Sequence, residues 1–198
     1  MVDPGFIDLE QHGIDPWGIK VNLRDGVKTQ MDFELGALNI DEWYAKRTGT
    51  TQANFGTVVS QEYARMRIHE GMALEGPDVS MPWTLSVHRA QSAEDGVEGW
   101  SATPSSKEQM NEITAILDEG LRLGALGVGS TIGYARKGIT TYEMFEAQKA
   151  AAHYGRLTSA HHRFPPSAST PTEAQTGVNE LLTNAMVPQR PAAHPPRQ

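Results

Sequence analysis

Cysteine is absent from the 198-residue sequence, and no apolar run approaches the ~18 residues that a membrane-spanning helix requires. Without cysteine, disulfides, thiolate nucleophiles and Cys-bound zinc are excluded, so any metal must be bound by histidine and carboxylate ligands. The formal net charge of −7 argues against nucleic acid and anionic membranes as partners. Since no charged and then apolar leader is visible either, we expect a cytoplasmic protein.

Helical and extended patterns alternate along the chain, which predicts parallel βαβ units in an α/β fold. Two capping boxes, at residues 106–109 and 140–143, open predicted helices that end at Gly124 and Gly155. The other predicted elements are a helical turn at 19–25, a helix at 41–47 with Asp41 as N-cap, strands at 52–60 and 125–130, a helix at 61–70 with its charges facing solvent, and a long loop with short helical pieces at 76–103.

Three segments alternate polar and apolar residues, as expected of a strand whose two faces differ. Their polar faces carry Asp8, Glu10 and His12 in residues 5–13, Gln30, Asp32 and Glu34 in residues 28–35, and Ser159, His161 and Arg163 in residues 157–163. A strand buried in a parallel sheet normally has two apolar faces. The polar faces therefore predict a cavity at the carboxyl ends of the strands of a (β/α) barrel, where such barrels place their active sites. For each strand alone, a solvated amphipathic face is the alternative.

Several motifs extend this interpretation: Pro4-Gly5-Phe6-Ile7-Asp8, the turn Asp25-Gly26-Val27-Lys28-Thr29, the segment from Gly124 to Ser130, and Tyr142-Glu143 followed by His161-His162-Arg163-Phe164. In these motifs the chain resembles the metal-dependent amidohydrolases, specifically the N-acyl-D-amino-acid deacylase branch of D-aminoacylase and N-acyl-D-glutamate deacylase. The resemblance covers residues 3 to 186. It implies hydrolysis of the amide bond of N-acyl-D-amino acids, N-acyl-D-glutamate among them, by water that one or two Zn²⁺ ions activate.

The resemblance also implies a fold, a TIM-type (β/α)8 amidohydrolase barrel of which this chain has roughly the first half. Eight βα units need roughly 250 residues. We expect residues 1–187 to form a partial barrel and residues 188–198, which include four prolines, to form a disordered tail. The family's catalytic aspartate lies on later strands. The catalytic residue of this chain is therefore unknown, and we expect little turnover from a chain that we interpret as truncated.

Four metal ligands follow from the resemblance. His12 and His161 match metal-binding histidines of the family. Glu10 stands where the family has a further histidine, and Glu34 lies beside the place of a family cysteine. Carboxylates are ordinary zinc ligands, so both replacements are chemically possible. The alternatives are histidines with hydrogen-bonding roles only and solvated carboxylates.

Two candidate substrate-binding residues come from the same analogy, Tyr134 in the loop after residue 130 and Arg163 after the fifth strand. An ordinary loop tyrosine, and an Arg163 that pairs with Asp32 or Glu34, remain the alternatives. We expect His162 to pack against a helix. The remaining histidines have no regular spacing to a partner and are expected at the surface; they are His69, His88, His153 and His194.

A different class of function also stays open, a non-catalytic remnant or an interaction protein assembled from half-barrels. A half-barrel leaves two strand edges and part of its core uncovered, and such surfaces tend to self-associate. The expected partners are thus a small N-acyl-D-amino acid substrate and a second copy of the chain, with no nucleic acid and no membrane. A flavodoxin-like binding domain would need a phosphate loop, and the sequence has no such motif.

Overall fold

The structure is a computed structural model that describes residues 4–12, 15–77, 82–94, 99–164 and 171–187. Within these ranges one sheet contains β1 (Phe6–Asp8), β2 (Val27–Ala37), β3 (Asn54–Ser60), β4 (Gly127–Ser130) and β5 (Leu157–Ala160). The strand order is β1-β2-β3-β4-β5, and every neighbouring pair is parallel. The sheet is therefore wound in one direction, as in a (β/α) barrel, whereas a doubly wound sheet reverses its order. The predicted partial barrel is confirmed.

Helices occupy the connections between the strands. They are α1 (Pro16–Arg24), α2 (Ile40–Arg47), α3 (Gln61–Glu70), α4 (Pro82–Glu94), α5 (Gly99–Ala102), α6 (Lys107–Arg122), α7 (Thr141–His153) and α8 (Pro171–Met186). The connection between β3 and β4 is much longer than the others, because it holds α3, α4, α5 and α6.

The sheet curves strongly enough to bring strands together that are not neighbours. A Cβ added to Gly129, on β4, would lie 2.3 Å from the backbone oxygen of Glu34 on β2. These two strands therefore meet across the concave side of the sheet, although β3 lies between them in the strand order. The concave side is the interior of a partial barrel.

The apolar core lies between the sheet and the helices. Helix α6 supplies Ile113, Leu117 and Leu121, each at most 1% exposed. Burial of each of these side chains stabilises the fold by about 1.5–3 kcal/mol. A Cβ added to Gly120 would lie 2.5 Å from Cγ2 of Val59, so glycine at this position lets α6 approach β3 closely.

The two predicted capping boxes have different outcomes. At Ser106 the box is complete, since Oγ accepts the N–H of Gln109 at 3.2 Å and Oε1 of Gln109 accepts the N–H of Ser106 at 2.9 Å. At Thr140 the hydroxyl accepts the N–H of Glu143 at 3.1 Å. The carboxylate of Glu143 does not complete this second box, because it forms a buried ion pair with Arg65, at 2.6 Å from Nη1 to Oε2.

The helix predicted at 61–70 is confirmed as α3, but its charges do not all face solvent. Glu62 and Arg65 are at most 1% exposed, because each forms an ion pair with a residue of another helix, Arg89 of α4 and Glu143 of α7. His69, on the same helix, is not a surface residue either, since its Nε2 lies 2.9 Å from Oγ of Ser105. Burial, and then the nearby positive charge of Arg65, lower the pKa of His69 to about 4.

Other local predictions are corrected by the backbone. Asn39, and not Asp41, is the N-cap of α2, and Asp41 lies in the first turn, where a negative charge suits the helix dipole. Helical pieces are present in the predicted loop at 76–103, as α4 and α5, but α4 is longer than predicted, with 13 residues. Helix α8 has no counterpart among the predictions. His88 is partly buried, with its ring perpendicular to that of Tyr63, whereas His153 is exposed as predicted.

The predicted disordered tail at 188–198, with His194, lies outside the described residues, so it stays a prediction, as does a domain boundary at 187. Across the ranges that the structure describes, no helix combines the length and the apolar character needed to cross a membrane.

Candidate metal centre

The first wall of the site is made where the chain after β1 runs along β2. The N–H of Phe33 donates to the carbonyl of Leu9 at 3.0 Å, and the N–H of Gln11 donates to the carbonyl of Met31 at 2.8 Å. These bonds hold residues 9–11 in fixed register, with Glu10 opposite Asp32. Side chains two residues apart share a face of an extended chain, which explains how alternation in the sequence could predict the arrangement.

The imidazole of His12 lies between two carboxylates of β2. Its Nε2 is 3.0 Å from Oε2 of Glu34, and its Nδ1 is 3.2 Å from Oδ1 of Asp32. Both carboxylates are buried, with Asp32 4% and Glu34 7% exposed. The polar face of β2 is therefore not a solvated face, which excludes the alternative interpretation for this strand.

His161 reaches the same carboxylate from the other end of the sheet. It follows β5 directly, and its backbone is fixed by a bond from its N–H to the carbonyl of Ser130 at 2.9 Å and by one from the N–H of Gly133 to its own carbonyl at 2.8 Å. A Cβ on Gly133 would lie 2.5 Å from Cδ2 of His161, so this close approach requires glycine. Nδ1 of His161 lies 3.2 Å from Oε1 of Glu34.

Three of the four predicted ligands, Glu10, Glu34 and His161, line one cavity at the carboxyl ends of the strands. The cavity has a volume of ≈ 330 Å³ and is lined by Leu9, Glu10, Glu34, Ser159, Ala160, His161 and His162. His12 contacts it through Glu34. One possible ligand atom from each of Glu10, His12 and Glu34 forms a group whose members all lie within 4.8 Å of one another.

The ionisable groups of this cluster shift one another's pKa values. Hydrogen bonds with Asp32, and then with Glu34, raise the pKa of His12 to about 10. Burial opposes ionisation of Glu34, but the hydrogen bonds with His12 and Glu10 outweigh it and lower the pKa of Glu34. The pKa of Glu10 is raised, first by its hydrogen bond with Glu34 and then by partial burial and the charge of Glu34.

The donor set fits a divalent cation. It offers two imidazoles and two carboxylates, which are the oxygen and nitrogen donors that suit Zn²⁺ and related ions. Oε1 of Glu34 is buried and has no hydrogen-bond partner among the described residues; the nearby Nδ1 of His161 is not aligned to donate to it. A buried carboxylate oxygen without a donor is costly, and a cation between Glu34 and the histidines would remove that cost.

The two candidate substrate-binding residues lie in different surroundings. The ring of Tyr134 is half-exposed and stands 4.7 Å, between ring centroids, from that of His161. Arg163 instead donates to both carboxylate oxygens of Glu180 on α8, at 2.9 and 2.8 Å, and to the carbonyls of Arg136 and Ile139. Its predicted alternative pairing with Asp32 or Glu34 is wrong, and the structure does not bring its guanidinium to the cavity.

Some residues beside the site have no counterpart among the sequence predictions. Arg89, on α4, donates to both oxygens of the buried Glu62 at 2.8 Å each, and Thr131 also donates to this carboxylate. The guanidinium of Arg89 stacks 4.7 Å from the ring of Tyr134. His162, in contrast, lies against a helix as predicted, since its Nδ1 is 3.1 Å from where a Cβ on Gly177 of α8 would lie, and it also lines the cavity.

A singly wound run of parallel βα units with a histidine and carboxylate cluster at the strand ends defines a partial (β/α) barrel with a candidate metal centre.

Solved structures of D-aminoacylase have a similar fold. A crystal structure of D-aminoacylase that defines a novel subset of amidohydrolases matches with a TM-score of 0.63 and 16% identity. An aspartate-to-alanine mutant in complex with 100 mM CuCl₂ matches with a TM-score of 0.62 and 18% identity. A structure concerned with the binuclear metal centre of D-aminoacylase, one-metal activation and second-metal attenuation, matches with a TM-score of 0.62 and 16% identity.

Each of these matches covers 92% of this chain and 39% of the D-aminoacylase chain. The chain therefore spans well under half the length of these proteins. At 16–18% sequence identity, this similarity shows that the chain shares the fold of the matching part of D-aminoacylase, and it shows the fold alone. No protein-family model matches the sequence, and no curated protein matches it.

Proposed function

We propose that this chain carries the metal-binding part of an amidohydrolase of the D-aminoacylase type. The reaction is hydrolysis of the amide bond of an N-acyl-D-amino acid, and N-acyl-D-glutamate is the substrate to test first. The observation that carries the proposal is a cluster of four side chains at one cavity, in which Glu10, Glu34 and His161 line the cavity and His12 contacts Glu34. This cavity lies at the end of the barrel where enzymes with this fold hold their active sites.

The cofactor that we propose is Zn²⁺, as one or two ions. Zinc bound by such ligands supplies a water of lowered pKa and polarises the scissile carbonyl. Glu34 would hold it centrally, since one of its carboxylate oxygens faces His12 and the other faces His161. Glu10 adds a second carboxylate beside Glu34, and a divalent cation offsets the repulsion between these two negative groups.

His12 must give up the proton of Nε2 before this nitrogen can bind a cation. The proton leaves to solvent, because Glu34, whose Oε2 lies 3.0 Å away, must stay ionised to bind the cation. Tyr134, with its ring beside His161, forms the part of the mouth that we propose contacts the substrate. We do not extend this role to Arg163, because Glu180 occupies its guanidinium.

Metal analysis of the purified protein tests the proposal. Zinc bound after equilibration and desalting is measured by mass spectrometry for the wild type, for His161→Ala and for His153→Ala. We expect His161→Ala to lose bound zinc, while the control at the exposed His153 keeps it. Equal zinc content in all three proteins, or none in the wild type, would contradict the proposed metal centre.

Turnover is measured separately, as free D-glutamate released from an N-acyl-D-glutamate in the presence of Zn²⁺. No residue in the described ranges is assigned as the proton shuttle, and the chain spans 39% of D-aminoacylase. We therefore expect little turnover from this chain alone. Rapid hydrolysis would show that this expectation is wrong and that a shuttle residue lies within these 198 residues.

A second candidate is a non-catalytic assembly protein, and one observation favours it. Phe6, Ile7 and Leu9 are 63%, 65% and 54% exposed at the β1 edge of the sheet. Adjacent exposed apolar residues on an edge strand favour pairing with another chain. A discrete dimer in size-exclusion chromatography without bound zinc would support this candidate over the hydrolase. The cytoplasmic location and the self-association both stay predictions.

A further inference from the structure

We propose that Asp32 is a positioning residue for His12, which fixes the ring so that Nε2 is presented to the cation. This inference rests on the proposed metal centre. It assigns a role to a carboxylate that is not itself among the proposed ligands. Its Oδ1 lies 3.2 Å from Nδ1 of His12, on the side of the ring opposite to Glu34.

The Asp32 carboxylate is itself held in place. The side chain is buried, and the same Oδ1 accepts the N–H of Gly36 at 3.0 Å. Gly36 has a φ of +71°, and a Cβ there would lie 2.5 Å from the carbonyl oxygen of Val58. Only glycine suits this conformation and this space. The turn at the end of β2 therefore directs a backbone donor to Asp32.

The backbone also fixes His12 relative to Asp32. The bonds from Phe33 to Leu9 and from Gln11 to Met31 set the register of residues 9–11 on β2. As a result Glu10 stands opposite Asp32, and the side chain of His12 returns to the same face. The residue before His12 is thus bonded to the strand that carries Asp32.

The consequence for the ring follows from hydrogen-bond chemistry. An ionised carboxylate accepts hydrogen bonds and cannot donate them, so Asp32 keeps the proton on Nδ1 of His12. In the neutral imidazole the lone pair is then on Nε2, which points to Oε2 of Glu34. A carboxylate behind a metal-binding histidine recurs in metal sites, and its loss typically weakens metal affinity about 10–100-fold.

The experiment uses the full chain with Zn²⁺ as the probe. Zinc affinity is measured by competition with a chromophoric chelator for the wild type, His12→Ala, Asp32→Asn and Asp32→Ala. Asp118→Asn is the matched control, since Asp118 is exposed on α6, where its carboxylate accepts the hydroxyl of Tyr154. We expect both Asp32 variants to bind zinc about 10–100-fold more weakly and the control to bind as the wild type does.

A spectroscopic readout separates positioning from a general loss of structure. The ¹⁵N NMR signals of His12 in the zinc-loaded wild type are expected to show a proton on Nδ1 and the metal on Nε2. In Asp32→Asn this single form is expected to give way to a mixture, because an amide can donate to Nδ1. Zinc on Nδ1 in the wild type would overturn the inference even if no Asp32 variant folds.

The outcomes also separate this inference from the proposed function. If the wild type and His12→Ala bind zinc equally, the proposed metal centre itself is wrong. If His12→Ala loses zinc while both Asp32 variants keep wild-type affinity and an unchanged His12 spectrum, only the positioning role is overturned. Weaker zinc binding together with a changed His12 spectrum supports both.

Discussion

Glu34 and His161 meet with Oε1 3.2 Å from Nδ1, although β3 and β4 separate their strands in the sheet. Such a contact is possible only because the sheet curls, and its concave side is the interior of a partial barrel. The first and last described strands thus contribute to one cluster through a carboxylate on β2. This contact makes Glu34 the residue on which the site depends most.

Replacement of Glu34 by glutamine is expected to abolish zinc binding at the site. An amide is a neutral and weak ligand for Zn²⁺. It also has one acceptor oxygen where the carboxylate has two, so it can accept from only one of the two imidazoles. The loss of affinity should be at least as large as the roughly 10–100-fold that outer residues of metal sites produce. Competition titration measures it, and Glu119→Gln, in an exposed pair with Arg122, is the control. Wild-type affinity in Glu34→Gln would remove this residue from the site.

The buried pair of Arg65 and Glu143 is expected to dominate the stability of the long β3–β4 connection. Both side chains are at most 2% exposed, and Arg65 also donates to the carbonyls of Trp100 and Thr103. Loss of one partner from a buried pair typically destabilises a protein by about 3–5 kcal/mol, because the other charge stays buried. Urea unfolding of Glu143→Gln measures this loss.

The double variant Arg65→Met with Glu143→Leu provides the internal check on that prediction. It removes both charges, so it should recover much of the stability lost in Glu143→Gln. An Arg122→Gln variant of the exposed surface pair with Glu119 should change stability far less than Glu143→Gln does. If Glu143→Gln were no more destabilising than Arg122→Gln, the buried pair of Arg65 and Glu143 would contribute no more to stability than a surface pair.

The stability of the protein is expected to fall as the pH drops from about 6.5 towards 4, in part because of His69. Burial lowers its folded-state pKa to about 4, whereas the unfolded chain has the ordinary value of 6.5. Between these two values the unfolded state binds more protons, so acid favours unfolding. Urea midpoints at pH 7.5 and pH 5 should differ less in His69→Gln than in the wild type. The exposed His153→Gln should keep the wild-type difference, and identical pH dependence in all three proteins would contradict the assignment.

The Arg89 and Glu62 pair is expected to hold α4 against the mouth of the cavity. Arg89 makes two hydrogen bonds to a fully buried carboxylate and stacks on the rings of Tyr134 and Trp100. Lysine cannot make the two parallel hydrogen bonds of a guanidinium. In Arg89→Lys, α4 should therefore be held less firmly, and its backbone amides should be exposed to solvent more often. Hydrogen exchange across residues 82–94 measures this, with faster exchange expected. Exchange as slow as in the wild type would show that other contacts hold the helix.

How far the sequence could predict this arrangement depends on whether a signal is local. Glu10, His12 and Glu34 could be found because alternation along a strand is local, and the match of His161 to a family motif added the fourth member. The partners of the buried charges on α3 could not be predicted, because they are distant in sequence. Glu143 lies 78 residues from Arg65, and Arg89 lies 27 residues from Glu62. The Arg163 prediction failed for the same reason, because Glu180 comes from a helix that no local pattern had indicated.

Replacement of Ile7 by lysine is expected to weaken any self-association through the β1 edge. Ile7 is 65% exposed, between the similarly exposed Phe6 and Leu9. Full burial of an isoleucine contributes about 1.5–3 kcal/mol, so association should weaken roughly 10-fold or more. Analytical ultracentrifugation across a concentration series measures it. Val87→Lys is the matched control, because Val87 is 54% exposed on α4, away from the edge. If both variants associate as the wild type does, the edge of β1 is not the surface that joins two chains. If the wild type is a monomer at all concentrations, these apolar side chains remain exposed to solvent.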